Sequence, residues 1–292
     1  MMNGTVSIRL PTGLWLNDIC HREAVLRPLT GRDEALLLEL DPLLPLAQRT
    51  TLFLTCCLSR LGTLAPVTSD FVRALTVGDR EALLLHLRRL TLGDRMQCVL
   101  NCPNPECGEK MDLDLKVSDL LLPAYAHSQA VHHATLQDQN GVYQVTFRLP
   151  TGGDQETVAG FADAEPQVAV DRLLHQCVEQ VTCQNNPEEP LIEDPEAIAQ
   201  QLPAILSELD PQAELVLNLA CPVCGQPFST LLDTAMHFFQ ELTSQIKTLD
   251  WEVHWLALHY HWSESEILGL TRHKRRRYLN LLEDTLSNRR SE

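Results

Sequence analysis

Apolar positions change their period several times along this chain. Val6 to Leu10 and Ala24 to Leu29 are short apolar runs and predict two strands. Thr30-Gly31-Arg32-Asp33 then predicts a helix start. The Thr30 hydroxyl can accept from the free N–H groups of the first turn, and Asp33 and Glu34 suit the positive helix end. Spacings of three and four predict helices over 45–61 and 79–91. Arg95 to Asn101 reads as a strand that enters CPNPECG (Cys102 to Gly108) and leaves through the alternating Met111 to Leu115.

The order then recurs. A strand at Val142 to Leu149 ends in Pro150-Thr151-Gly152-Gly153-Asp154, and helices are predicted over 166–181 and 195–208. A strand at Glu214 to Leu219 enters CPVCG (Cys221 to Gly225) and leaves through Phe228 to Leu232. Thr30 to Cys102 spans 72 residues and Thr151 to Cys221 spans 70. Cys57 and Cys177 each fall in the first long helix of a copy. The reading is a diverged internal duplication. Residues 123–141 read as a polar connection and 184–190 (QNNPEEP) as a surface loop. From Asp233 onward the pattern is helical: 235–247, 250–261, a capping box at Ser263 and Glu266, and a last helix from Arg272 to Leu286. The expected division is 1–122, 123–232 and 233–292.

Composition narrows the class. The 292 residues are 44% hydrophobic and 21% charged, a globular balance with enough apolar residues for a core without disulfides. The net charge of −16 excludes a surface that coats nucleic acid or anionic membrane as a whole. Residues 271–292 depart from this: seven Lys or Arg against three acids give +4, leaving −20 on the rest. No apolar run approaches the ~18 residues that span a bilayer. The start lacks a basic stretch followed by an apolar one, so no secretory leader is expected. A cytoplasmic protein is expected, with its ten cysteines as thiols or metal ligands.

The candidate chemistry lies in the knuckles. Cys102 and Cys107 are spaced C-x4-C, and Cys221 and Cys224 are spaced C-x2-C. Each pair closes on Gly between apolar strands, as a zinc knuckle requires: two thiolates point at one ion while the Gly turns the corner. One knuckle supplies half a tetrahedral site, so the two copies together complete a closed structural zinc site. Two rivals stay open: glutaredoxin-type redox chemistry at Cys221 and Cys224, and four buried thiols without metal. A zinc deaminase is excluded, because His21-Arg22-Glu23 lies 198 residues before Cys221, which no proline precedes. Cys20, Cys56, Cys57, Cys98, Cys177 and Cys183 read as small core residues.

Other clusters are ambiguous. His254, His259 and His261 share a predicted helix, but no two are four apart, as a helical metal pair would be. Trp251, Trp255, Leu258 and Trp262 form one stripe, which reads as core or as a partner-binding face. The run Arg272-His273-Lys274-Arg275-Arg276-Arg277 sits at a helix start, where cations are unfavourable, so acidic groups are expected to offset it. Candidate partner-binding residues are Trp251, Trp255, Trp262, Arg272, Arg275 and Arg276. No nucleophile elbow, P-loop or G-x-G-x-x-G occurs, so no catalytic residues and no small-molecule substrate are expected.

Several segments together resemble the baseplate hub assembly chaperone family of T-even-type phages, also encoded in phage-tail-like contractile injection systems. They are LTGRDE (Leu29 to Glu34), Leu75 to Met96 running into CPNPECG, DLDLKVSDLLLP (Asp112 to Pro123), RLPTGGDQE (Arg148 to Glu156) and LACPVCG (Leu219 to Gly225). Glu252 to Leu282 is similar to helical segments in proteins of the same gene clusters. The resemblance implies a non-enzymatic chaperone or structural protein of a contractile tail, binding hub, spike or tape-measure proteins. The residues themselves imply an α+β fold: two similar β-α-β modules joined at one four-cysteine zinc site, plus a C-terminal helical segment. The rival reading is a zinc-ribbon nucleic-acid binder using the basic last helix.

Overall fold

The computed structural model describes residues 4–139, 141–162, 164–183 and 196–290; the loop expected at 184–190 lies outside them. Strands β1 (Val6–Leu16) and β2 (Ile19–Leu26) form an antiparallel hairpin. Its turn is Asn17-Asp18, both with positive φ, which fits the strands' twist. Helices α1 (Gly31–Glu39) and α2 (Leu46–Cys57) follow, then β3 (Leu58–Leu61), which pairs with β2 to give the order β1-β2-β3. The helix expected over 45–61 therefore ends at Cys57. There Arg27 N–H takes the Cys57 carbonyl at 3.0 Å, and Leu58 and Leu61 turn inward as a strand. Thr30 and Asp33 close the expected capping box at the start of α1.

Helices α3 (Ser69–Ala74) and α4 (Val77–Leu92) lead to the hairpin β4 (Arg95–Asn101) and β5 (Lys110–Lys116), then the single turn α5 (Val117–Leu120). The expected polar connection over 123–141 contains instead a strand, β6 (His132–Asp138), paired with β7 (Gly141–Phe147). Its outward residues are polar and Leu136 is its one buried position, so the strand carries little apolar signal. Next come α6 (Gly152–Val158), α7 (Pro166–Cys177) and β8 (Val178–Cys183), in sheet order β6-β7-β8. Here too the helix expected to 181 gives way to a strand after its cysteine. Helix α8 (Glu196–Leu209) and a 3-10 turn precede the hairpin β9 (Val216–Ala220) and β10 (Pro227–Leu231).

The two halves match in detail. Arg27 grips Asp33 through both nitrogens at 2.7 and 2.9 Å, and Arg148 grips Asp154 at 2.6 and 2.9 Å. Arg148 N–H meets the Cys177 carbonyl at 2.9 Å, as Arg27 meets Cys57. The β2–β3 pairing slips at Leu26 and the β7–β8 pairing slips at Phe147.

The chain ends in α9 (Thr234–Ile246), α10 (Leu249–Tyr260), α11 (Glu264–Leu268) and α12 (Arg272–Arg290). Phe238, Phe239, Leu242 and Ile246 of α9 join the first unit's core, with Leu26, Phe53, Leu54 and Leu83. Residues 249–290 keep a separate core of Leu256, Ile267 and Leu279. Among the described residues no helix is long and apolar enough to cross a membrane.

Two buried carboxylates meet where the halves touch, and one of them, Asp210, bonds across to Gly78. Asp79 accepts from the N–H groups of Thr12 at 2.8 Å and Gly13 at 2.7 Å; Asp210 accepts from Gly78 N–H at 2.9 Å and Tyr125 Oη at 2.8 Å. Burial raises the Asp79 carboxyl to about 7, the nearby Asp210 adds to this, and the two N–H groups oppose it. The folded state therefore holds this proton to higher pH than the unfolded chain does. Stability from Asp79 is complete below the ordinary carboxylate range and is lost as pH rises toward 7. Asp79→Asn removes this titration and the repulsion between Asp79 and Asp210. The melting temperature of the native chain relative to this variant is expected to fall from pH 5 to about pH 7 and to level off above it; a constant difference would contradict this.

Candidate metal centre

Each knuckle is built by its hairpin. β4 delivers Cys102, whose N–H donates to Glu109 O at 2.8 Å; Asn104 O then accepts from Cys107 N–H at 3.0 Å and Gly108 N–H at 2.9 Å. β9 delivers Cys221, whose N–H donates to Gln226 O at 3.0 Å while its carbonyl accepts from Gly225 N–H at 2.9 Å. Gly108 and Gly225 sit at φ +56° and +74°, the left-handed corner that the sequence placed behind each pair. The knuckles face each other although more than a hundred residues separate them. Cys102 Sγ lies 3.7 Å from Cys224 Sγ, and Cys107 Sγ lies 3.8 Å from Cys221 Sγ. All four sulfurs fall within 4.8 Å of one another. Neighbouring sulfurs around a tetrahedral zinc, at about 2.3 Å per bond, would stand about 3.8 Å apart. The donor set and its spacing therefore fit one zinc ion.

The electrostatics agree. Cys221 is drawn down to about 7, first by the Cys224 N–H and then by the Val223 N–H. Cys102 is lowered most by the backbone at Asn104, yet burial and the three other thiols carry it up to about 12. Four thiols in one small volume cannot all ionise unless a cation joins them. Cys102 and Cys221 are buried, Cys107 is half-buried and Cys224 is exposed, with Met111, Leu100 and Phe228 packed around them. The chain after Cys224 runs into a strand, so no helix end activates that thiol.

The remaining cysteines lie elsewhere. Cys57, Cys98 and Cys177 are buried, and Cys20, Cys56 and Cys183 are half-buried. Burial holds the Cys177 thiol up at about 12, which suits a core residue. Of the tryptophan stripe, Trp251 is 47% exposed and touches Trp255 at 5.6 Å. Trp255 stacks on His259 at 5.0 Å, and Trp262 packs edge-on against Tyr278 at 4.9 Å. Trp251, Trp255, Leu279, Leu282 and Leu286 line a groove of about 200 Å³. His254, His259 and His261 do not converge on a metal-ligand cluster.

The basic run divides. Arg276, with Lys274 and Arg277, stays exposed, whereas Arg272 and Arg275 turn inward. Arg275 ion-pairs with Glu34 and, at 2.9 Å, with Glu252; Arg272 donates to Gln245 O and Oε1, both at 2.9 Å. Glu34 and Glu252 are thus acidic groups that offset cations at this helix start. Sequence reasoning missed buried Arg80, and it offered Arg275 to a partner although that side chain is fully buried. Their signal was present: Leu75-Thr76 and Leu270-Thr271 each precede an arginine at the same distance.

An α+β scaffold that brings two hairpins to a four-thiol cluster defines a protein with the makings of a closed structural metal site. The chain belongs to the family of T4 bacteriophage base plate proteins, whose model matches residues 20–240. No curated protein and no solved structure matches it.

Proposed function

We propose that this protein is a non-enzymatic structural or assembly component of a contractile tail, in a phage or a phage-derived injection system. It works at the baseplate or its hub by protein–protein binding, as an assembly chaperone or as a resident part of the particle. The family match over residues 20–240 carries this reading. Cys102, Cys107, Cys221 and Cys224 hold a structural zinc, since four protein sulfurs leave no open position for a substrate. The repeated strand, helix and hairpin order supports a duplicated module over 1–122 and 123–232, with a helical segment at 233–292. The partners are hub, spike or tape-measure proteins. Trp251, Trp255, Trp262 and Arg276 form the partner side, with the groove beside Trp251 as the apolar part, whereas Arg272 and Arg275 hold the chain's own Gln245, Glu34 and Glu252 instead of a partner.

Co-expression with each tail protein of the same gene cluster tests the proposal. A hub, spike or tape-measure protein is expected to copurify with the tagged full chain, and Trp251→Ala with Leu258→Ala is expected to weaken that capture. Tails that assemble normally without this chain, together with no copurifying tail protein, would refute it.

A further inference from the structure

The two largest fully buried side chains among the described residues are Arg80 and Arg275. Neither belongs to the thiol cluster, and each occupies the same place in one of two matching joints. In the first joint, Thr76 and Thr151 form an antiparallel bridge and Gly152 N–H donates to Leu75 O at 3.0 Å. Arg80 lies so close beneath Gly152 that a Cβ there would stand 2.0 Å from Nη1. In the second, Thr271 and Thr30 form the bridge and Gly31 N–H donates to Leu270 O at 3.0 Å. A Cβ on Gly31 would stand 2.9 Å from Arg275 Nη1. Both joints seat a helix beginning Leu-Thr-x-x-x-Arg against a helix beginning Thr-Gly. The incoming helix is α4 in one joint and α12 in the other, from otherwise different surroundings. Recognition is therefore local to these few residues.

The second joint is built to open. Its side-chain contacts are largely polar: Arg275 meets Glu34, Arg32 donates to Ser265 Oγ at 2.6 Å, and Arg272 donates to Gln245 of α9 at 2.9 Å. Separation returns these groups to water, where they are well solvated. Residues 249–290 keep their own core of Leu256, Ile267 and Leu279 when lifted away. The connection to the rest of the chain is Lys247 and Thr248, between α9 and α10. Thr248 stands at φ −96° and ψ 1°, and Lys247 at φ −53° and ψ −21°. An α-helix needs ψ of about −42°, so modest rotations fuse α9 and α10 into one helix. Residues 234–260 contain neither glycine nor proline to prevent it.

We propose that this joint exchanges between copies of the chain. With α9 and α10 fused, residues 249–290 of one copy leave their own first unit and seat Leu270 to Arg275 on Thr30, Gly31 and Glu34 of a second copy. Apart from the Arg272 bond to Gln245 O, a carbonyl that the fused helix turns to Leu249 N–H, the contacts are the same in both forms, so the hinge and the chain concentration set the balance. Leu75 to Arg80 is held between the two halves of its own chain, which leaves the C-terminal unit as the piece that moves. This inference stands apart from the tail assignment.

The test uses two full-length variants. Arg275→Glu breaks the incoming helix and keeps an intact Thr30–Gly31–Glu34 seat. Glu34→Arg breaks the seat and keeps an intact incoming helix. Light scattering after size exclusion is expected to give single-chain mass for each alone and two-chain mass for the mixture. A mixture that stays at single-chain mass overturns the proposal, as does pairing of Arg275→Glu with itself. Should either charge reversal fail to fold, Arg275→Ala and Glu34→Ala replace the pair and are read by the same outcomes.

Discussion

Serine at Cys102 and Cys221 together is expected to abolish zinc binding and to melt the region around both hairpins. Each hairpin has two strands, and isolated two-stranded hairpins are marginal in water. The apolar packing around the thiols is small: Met111, Leu100 and Phe228. A tetrahedral zinc held by the four thiols would join hairpins that are distant in sequence, so its binding free energy would enter folding directly. Small zinc-dependent peptides gain roughly 10–16 kcal/mol this way. That gain would be smaller here, because the hairpins also rest on Leu85, Met96, Val117 and Leu217. A loss of several kcal/mol is expected, read as a lower melting temperature and as faster hydrogen exchange over 95–122 and 214–232. The first unit's sheet keeps its protection, since its core of Leu26, Phe53 and Leu83 shares nothing with the thiols. Elemental analysis of the native chain is expected to give one zinc per chain. A metal-free native chain, or a double variant that melts with it, would remove the zinc from this account.

The parts legible in sequence were those set by local chemistry. Cysteine pairs flanked by proline and glycine announce a turn that offers two sulfurs. Thr30 with Asp33, Thr151 with Asp154 and Ser263 with Glu266 announce helix starts, because the bonds that make a capping box span only three residues. What escaped was set by distant partners. Leu58 to Leu61 continues the apolar spacing of the preceding helix and becomes a strand only because β2 offers it an edge. His132 to Asp138 is polar on its outward face and becomes a strand only beside β7. Arg80, Asp79 and Asp210 resemble solvated charges, yet the joint between the halves buries all three. The arginine grip carried a local signal in both halves: Arg27 and Arg148 both precede the threonine by three residues and the gripped aspartate by six.

The same joint yields the sharpest contrast between neighbouring positions. Gly152 and Gly153 are both in the first turn of α6, and both look replaceable by alanine on helix propensity alone. Their surroundings differ. A methyl group on Gly152 would press on Arg80 Nη1 at 2.0 Å and on Arg80 Cζ at 2.4 Å. Arg80 cannot retreat, because it is 1% exposed and donates to Ala47 O at 2.7 Å and Thr51 Oγ1 at 2.8 Å. Moving it breaks those bonds inside the protein as well as the packing. Overpacking of this kind costs roughly 1–3 kcal/mol, and Gly152→Ala is expected at or above the top of that range. A methyl group on Gly153 meets nothing nearer than Thr151 Oγ1 at 3.6 Å, an ordinary contact. Gly153→Ala is therefore expected to raise stability, by up to about 1 kcal/mol. Gly31→Ala falls between them, at 2.9 Å from Arg275 Nη1 and 3.0 Å from Leu268 Cα, and loosens the C-terminal unit rather than the joint between the halves. Denaturant midpoints of the three variants give the order directly. If Gly152→Ala unfolds with the native chain, Arg80 is not fixed beneath that glycine, and the matched joints lose their physical basis.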